Sequence, residues 1–467
     1  MYSLFSVKFN YFLFFGLAIL FLLVFPTLKW YMYIAIFISL HQFMLLFKSI
    51  GSILPIRYLL GAFMCLQMYI GPTLAYSGLD EFQRGYLKMQ IPSDQYFLYV
   101  LPAVALFILG LHFGAGKLDG EVLDIDSLKK FVERNKRLPY IFIIIGFSSS
   151  VLAIYFGAVF TFVFTLLSNF KFIGAFFLII GQKKIPPLTL LIVFGSIVSS
   201  SLQNAMFHDL IVWTIFLGAI LAIRFKPSSN FKLVITFGFL IIVAFIQIIK
   251  GEYRTATWNQ GEEGGIETLT KSYEVGEEKE GGFSYENLAK SNVRINQGFI
   301  ITNILNTVPE KVPFEYGKEM LLILESALLP RILAPNKLNA GDRFIFMKYS
   351  GIPLAKGTSM GLSSLGDAYI NFGMFGGALF MFFYGLFFNK VLLAFKKYSH
   401  YYPALLVFTP FVFYYPIRPD CELQTILGHL VKSCFLIFLI FQIWKVKFKR
   451  VPGLIMSSAG PSSKPLL

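Results

Sequence analysis

Apolar runs of about twenty residues alternate with short polar turns along this chain, and one long polar stretch, 250–365, interrupts the alternation. A helix rises ~1.5 Å per residue, so about twenty residues cross the ~30 Å hydrocarbon core of a bilayer. The pattern predicts twelve spans, over 9–27, 30–47, 53–76, 96–115, 139–157, 159–181, 185–206, 208–224, 231–249, 366–394, 401–417 and 422–444. A β-barrel would show alternating segments of about ten residues instead. The expected fold is all-α and polytopic, with about 12 transmembrane helices. A nine-span bundle occupies 1–249, a large loop with short amphipathic helices 250–365, and three more spans 366–450. The tail, 451–467, is rich in Ser, Pro and Gly and is expected to be disordered.

Composition supports the membrane class: 56% of the 467 residues are hydrophobic and only 14% charged, against about 25% charged in soluble domains. The net charge of +15 would suit nucleic acid if it formed one patch. Instead the cations alternate from turn to turn. Lys8, Lys48 and Arg57, the cluster Lys129 to Arg137, Lys183 and Lys184, Arg224 to Lys232, Lys396 and Lys397, and Lys445 to Arg450 all fall on one side. The opposite turns carry only Lys29, Arg84, Lys88 and Arg418. The positive-inside rule then expects both termini in the cytoplasm and the large loop outside. No nucleic-acid partner is expected. Cys65, Cys421 and Cys434 lie in or beside apolar spans without metal-ligand spacing.

Polar residues inside the spans need a reason, because a charge in hydrocarbon costs at least ~2.5–3.5 kcal/mol on insertion scales. Glu422, Thr425, His429 and Lys432 recur at steps of three, four and three and share one helix face. That stripe is either an internal seam of paired charges or one wall of a wet cavity. Lys171 sits near mid-span, where it can snorkel only with difficulty. Gly373-Met374-Phe375-Gly376-Gly377 suggests a close helix contact. Asp124-Ile125-Asp126 matches an Asp-x-Asp metal motif, but its turn is too short for a nucleotide-sugar domain and reads as a solvated acidic stretch. No metal and no cofactor is expected.

The large loop opens with Lys250-Gly251-Glu252-Tyr253-Arg254 at the membrane surface. The Gly- and Glu-rich stretch 258–282 has too few apolar residues to fold alone and is expected to be mobile. An amphipathic helix over 316–329 carries Met320, Leu321, Leu324 and Leu328 on one face, and a second short helix is expected over 341–349. Arg254, Arg294, Arg331 and Arg343 occur here with Lys250, Lys337 and Lys348, and Arg418 joins them from the end of the eleventh span. Singly, such residues read as solvated charge or headgroup contacts. As a set fixed by prolines they suit a lipid phosphate, because the guanidinium fork matches phosphate oxygens. The loop has no histidine or cysteine, and no zinc pattern, P-loop or dinucleotide fingerprint occurs.

Four stretches resemble the bacterial oligosaccharide repeat-unit polymerases, the Wzy-type O-antigen polymerase family. They are Lys250–Arg254, Asn292-Val293-Arg294-Ile295-Asn296-Gln297-Gly298, Pro330-Arg331-Ile332-Leu333-Ala334-Pro335-Asn336-Lys337, and Asp367-Ala368-Tyr369-Ile370-Asn371-Phe372-Gly373. The topology, with one large loop late in the chain, is also similar. The resemblance implies a glycosyltransferase that joins undecaprenyl-diphosphate-linked oligosaccharides at the outer face of the membrane, in company with a flippase and a chain-length regulator. It implies a diphosphate site of Lys250, Arg254, Arg294, Arg331, Lys337, Arg343 and Arg418, whose cations would stabilise the leaving group. A carboxylate would accept the acceptor hydroxyl's proton if the transfer inverts the anomeric carbon. Glu325, on the helix leading into Arg331, is the first candidate, with Asp342 and Asp367 as rivals. An O-antigen ligase would need a histidine in the large loop, which is lacking here. A lipid-linked oligosaccharide flippase or transporter would show internal repeats and short loops, and neither is evident.

Overall fold

The computed structural model describes residues 10–115, 125–156, 158–280, 289, 292, 293, 295–329, 334, 337, 338, 340–356, 358–444 and 448. Asp124, Arg294, Arg331, residues 281–282 of the stretch expected to be mobile, and the tail lie outside the described residues. What is described is helical, and it makes a multi-pass membrane protein.

Among the described residues, ten helices are long and apolar enough to cross a bilayer: Trp30–Ser49, Ile56–Tyr76, Ser93–His112, Leu138–Tyr155, Phe162–Gly181, Pro187–Asn204, His208–Phe225, Ser229–Gln247, Ser363–Ser399 and Leu423–Ile443. Two further segments expected as spans are shorter, Tyr11–Val24 and Pro403–Val412. Fourteen residues of helix reach only ~21 Å. The second is wound as a 3-10 turn over Pro403–Phe408 followed by a single α-turn. Every residue from Pro403 to Phe413 is buried, so this segment is core rather than lipid-facing wall.

Helices Ser93–His112 and Ser363–Ser399 form the densest seam. A Cβ added at Gly110 would meet the carbonyl of Phe382, and one at Gly385 the carbonyl of Phe107, so the two backbones touch through these glycines. Gly373, expected at a helix contact, instead breaks its helix with φ 66° and ψ −165°, a conformation open to glycine. The residues before the break, 363–372, form a short helical unit beneath the polar segment. Tyr99 donates its hydroxyl to the carbonyl of Leu365 (2.7 Å) and ties that unit to Ser93–His112.

Arg57 and Arg224, expected in turns, and Lys171, expected near mid-span, serve as internal anchors. Arg57 is fully buried; its guanidinium donates to the carbonyl of Leu111 and to Asn389 Oδ1 (2.8 Å for the latter). Arg224 donates to the carbonyls of Ile179 and Lys183 at the end of helix Phe170–Gly181, where a positive charge favours the helix dipole. Lys171 lies over the rings of Phe147 and Phe172 (5.2 and 5.4 Å to the centroids), which gives the mid-span ammonium a cation–π environment.

The polar segment is more ordered than its composition suggests. Helix Ser229–Arg254 runs on beyond the span into a π-turn, Thr255–Asn259, and helix Ile266–Glu280 folds back against it. Leu269 and Tyr273 pack on a small core of Ala205, Phe207, Ile249 and Tyr253, and Tyr253 donates to the carbonyl of Leu202 (2.9 Å). Within 258–282, the stretch expected to be mobile, residues 266–280 form a helix docked on the end of the preceding span. Alone its few apolar residues could not fold, but the end of the preceding span supplies the missing surface.

Candidate functional site

A cavity partly open to its surroundings, with about 420 Å³ of space between atoms including its open mouth, lies where helices Lys318–Leu328, Arg343–Ser350, Ser363–Ser399 and Leu423–Ile443 begin. Four carboxylates line it: Glu319, Asp342, Asp367 and Glu422. Asn371, Gln424 and Tyr349 complete the polar wall, and Ile323, Leu338, Phe346, Met360 and Ile370 supply the apolar one.

Each carboxylate reaches the cavity because of where it sits on its helix. Asp342 is the N-cap of Arg343–Ser350, its Oδ1 accepting from the amides of Phe344 (2.9 Å) and Ile345 (3.2 Å). Glu319 stands in the first turn of Lys318–Leu328. Asp367 is buried in the second turn of Ser363–Ser399, and its Oδ2 accepts from the amide of Leu423 (2.7 Å), the first residue of the last helix. Glu422 precedes that helix; its Oε1 accepts from the amide of Gly341 (3.0 Å) and from the Thr425 hydroxyl. Asn371, one turn beyond Asp367, donates to the Asp367 carbonyl (2.9 Å) and accepts from the amide of Met320 (2.9 Å). Three helix N-termini thus converge on side chains that line the cavity. Their partial positive charge, with Lys348 acting on Glu319, offsets the acidic wall.

Electrostatics at the rim differ between neighbouring glutamates. Burial raises the pKa of Glu319 above the ordinary carboxylate value, against the pull of Lys348 and a hydrogen bond from Tyr349. Glu315, just outside, is lowered by hydrogen bonds from Lys348 (2.8 Å) and the Tyr349 hydroxyl (2.6 Å). Among the described residues no three His, Cys, Asp or Glu side chains are grouped as a metal ion would require. The carboxylates face the cavity from separate walls.

The residues expected from sequence divide. Asp342 and Asp367 line the cavity; Glu325 is exposed on the outer face of helix Lys318–Leu328. Among the described residues, none of the expected cations lines it. Arg343 donates Nε to the carbonyl of Leu354 (2.6 Å) and lies over the ring of Phe344. Lys337 donates to the carbonyl of Leu329 (2.7 Å) at the end of helix Lys318–Leu328. Arg254 donates Nε to the carbonyl of Ala205 (3.1 Å) and stacks over Trp258. Arg418 pairs with Asp420 (3.2 Å) and covers Tyr415, while Lys250 acts electrostatically on His208.

Glu319, Asn371, Gln424 and Tyr349 escaped the sequence reading. The spacing of Asp367 and Asn371, four residues apart on an apolar helix, was the available signal. For Glu319 the signal was its place at the start of an amphipathic helix. The polar stripe of the last span resolves into separate parts. Glu422 walls the cavity, His429 contacts the carbonyl of Phe411 (2.8 Å) deeper in the core, and Lys432 lies over the ring of Phe162 (3.8 Å).

A family described as Domain of unknown function (DUF8712) matches residues 63–447. The chain belongs to this family. Every cavity-lining residue of this DUF8712 chain falls within the matched stretch. No curated protein and no solved structure matches it.

Proposed function

We propose that the protein polymerises polyprenyl-diphosphate-linked oligosaccharide repeat units at the outer face of a bacterial inner membrane. The observation that carries this reading is the cavity lined by Glu319, Asp342, Asp367 and Glu422, set between the polar segment and the starts of two membrane helices. Carboxylates with Asn, Gln and Tyr beside an apolar wall suit a polyhydroxylated sugar, whose hydroxyls donate to the former and whose ring carbons pack on the latter. The four sequence stretches that resemble Wzy-type polymerases support the same reading, and one of them contains both Asp367 and Asn371.

In this reaction a hydroxyl oxygen of the acceptor sugar bonds to the anomeric carbon of the donor glycan. The bond from that carbon to the lipid diphosphate breaks, and the diphosphate leaves with the electron pair. A cavity carboxylate takes the hydroxyl proton, and Asp367 is the best placed because the amide of Leu423 fixes its carboxyl group. Arg343 and Lys348, carried on the helix that Asp342 caps, each adjoin a cavity-lining residue in the chain and would face the leaving diphosphate. Arg294 and Arg331 join them on the resemblance alone.

The acidic wall also favours a second reading, a lipid-linked oligosaccharide transporter driven by protons or cations. Deleting the protein in its host and sizing the surface glycan separates the two. Loss of the long-chain ladder, with single repeats still reaching their usual acceptor, is the expected result. Unpolymerised repeats trapped on the cytoplasmic side would replace the polymerase reading with the transporter. Full-length polymer accumulating on the lipid carrier would mean a ligase.

A further inference from the structure

Helix Lys318–Leu328 has two apolar faces, and among the described residues only one is covered by protein. Met320, Ile323, Ser326 and Ala327 are buried, where the helix packs along Leu423–Ile443 and against Ser363–Ser399. Leu321, Leu324 and Leu328, which share the adjoining face at steps of three and four, are 68%, 40% and 61% exposed, whereas Met320, expected on that face, is buried. Both helices it packs against are candidate membrane spans with exposed apolar faces of their own, including Phe375 and Phe435. Eleven residues of helix extend ~16 Å, about half the thickness of a hydrocarbon core.

We propose that this helix is seated in the bilayer leaflet on the side of the polar segment, with Leu321, Leu324 and Leu328 in hydrocarbon. Water would leave a ridge of leucines uncovered beside two spans, whereas acyl chains cover it at no cost and continue over the neighbouring helices. Glu325 sits on the flank of the leucine face and is exposed. A carboxylate there sets the depth: the axis lies near the headgroup boundary, and the side chain reaches outward to polar surroundings. Glu319 and Ile323, on the other side of the helix, line the cavity. The wall between cavity and lipid is therefore one helix thick. This holds whatever the cavity binds, so it stands apart from the polymerase reading.

Spin labels test the depth in the full chain reconstituted in phosphatidylglycerol–phosphatidylethanolamine vesicles. Cys65, Cys421 and Cys434 are replaced by alanine, and single cysteines are placed at 321, 324 or 328, with Lys356→Cys as a control in an exposed loop. Collisions with oxygen should exceed those with a water-soluble nickel complex at the three leucine positions, and the order should reverse at 356. Nickel collisions at 321, 324 and 328 matching those at 356 would overturn the proposal. Low access to both, with dipolar broadening that vanishes on dilution with unlabelled chain, would assign the ridge to a second copy and overturn it too. Leu324→Trp in the chain with its native cysteines gives an independent reading. Brominated acyl chains should quench the added emission, and unquenched, red-shifted emission would count against the proposal.

Discussion

Two groups of charges meet the segment 418–424 from different sides, and they are balanced in opposite ways. At the cavity, Glu319, Asp342, Asp367 and Glu422 are all acidic; backbone amides of Leu423, Gly341, Phe344 and Ile345 hold three of them, and Lys348 acts on Glu319. Beside them, Arg418 pairs with Asp420, and the Tyr414 hydroxyl donates to Asp209 next to His208. Here side chain answers side chain. A cluster that neutralises itself holds the fold together. A set of like charges held open by helix ends keeps capacity for hydroxyls, protons or cations from outside. In the proposed function, that difference sets the carboxylates beside the arginines that the sequence singled out.

The sharpest break of this comparison is at Asp367. Asp367→Asn keeps the size and a polar partner for the Leu423 amide but removes the base. Polymer formation should fall by ~10²–10⁴ while membrane insertion and yield of folded protein stay near wild type. Wild-type glycan ladders from this variant would remove Asp367 from the chemistry.

Arg418→Ala should do the reverse. Burial works to raise the pKa of Asp420, but Arg418 and His208 overcome it and hold the carboxyl below its usual value. Removing the guanidinium strands that carboxylate. Breaking a fully buried pair costs ~3–5 kcal/mol, and partial exposure of both side chains reduces this to about 1–3. Thermal unfolding in detergent should show the loss, with activity per folded molecule retained. A variant as stable as wild type but unable to polymerise would return Arg418 to the diphosphate site.

Glu319 and Glu315 sharpen the contrast through pH. Burial raises Glu319, so the stability it contributes is full below the unfolded carboxylate pKa and is lost as pH rises through the higher folded value. Lys348 and Tyr349 lower Glu315, so its contribution is present above the unfolded pKa and is lost as pH falls through the lower folded one. Unfolding followed from pH 4 to 7 should show Glu319→Gln removing a decline on the alkaline side of that window. Glu315→Gln should remove a loss on its acid side. Parallel curves for the two variants would mean that burial does not separate them.

Most of the membrane architecture was legible, because a run of about twenty apolar residues has few alternatives to a span. The exceptions are physical. Pro403–Val412 is as apolar as a span but too short, and it winds up as core. Arg57 and Arg224 look like turn cations and instead saturate buried carbonyls, a role that depends on contacts such as Asn389, more than three hundred residues away. Asp342 and Asp367 could be singled out by residue type and neighbourhood. That they share a cavity with Glu319 and Glu422 follows only from four helix starts meeting, which no local pattern encodes.

Glu325 and Glu319 separate the two faces of one helix, and the smallest effect is expected at the first. They lie six residues apart, and the turn of the helix sends Glu319 to the cavity and Glu325 to the outer surface. Position 325 has no cavity contact to lose, and a surface substitution of this kind changes stability by no more than ~0.5 kcal/mol. Glu325→Gln should therefore leave both polymer length and unfolding unchanged, while Glu319→Gln alters the pH response. A loss of polymer in Glu325→Gln, with normal folding, would mean that the reacting sugar sits on the lipid side of the helix. The carboxylate cavity would then be a structural cap for the helices around it.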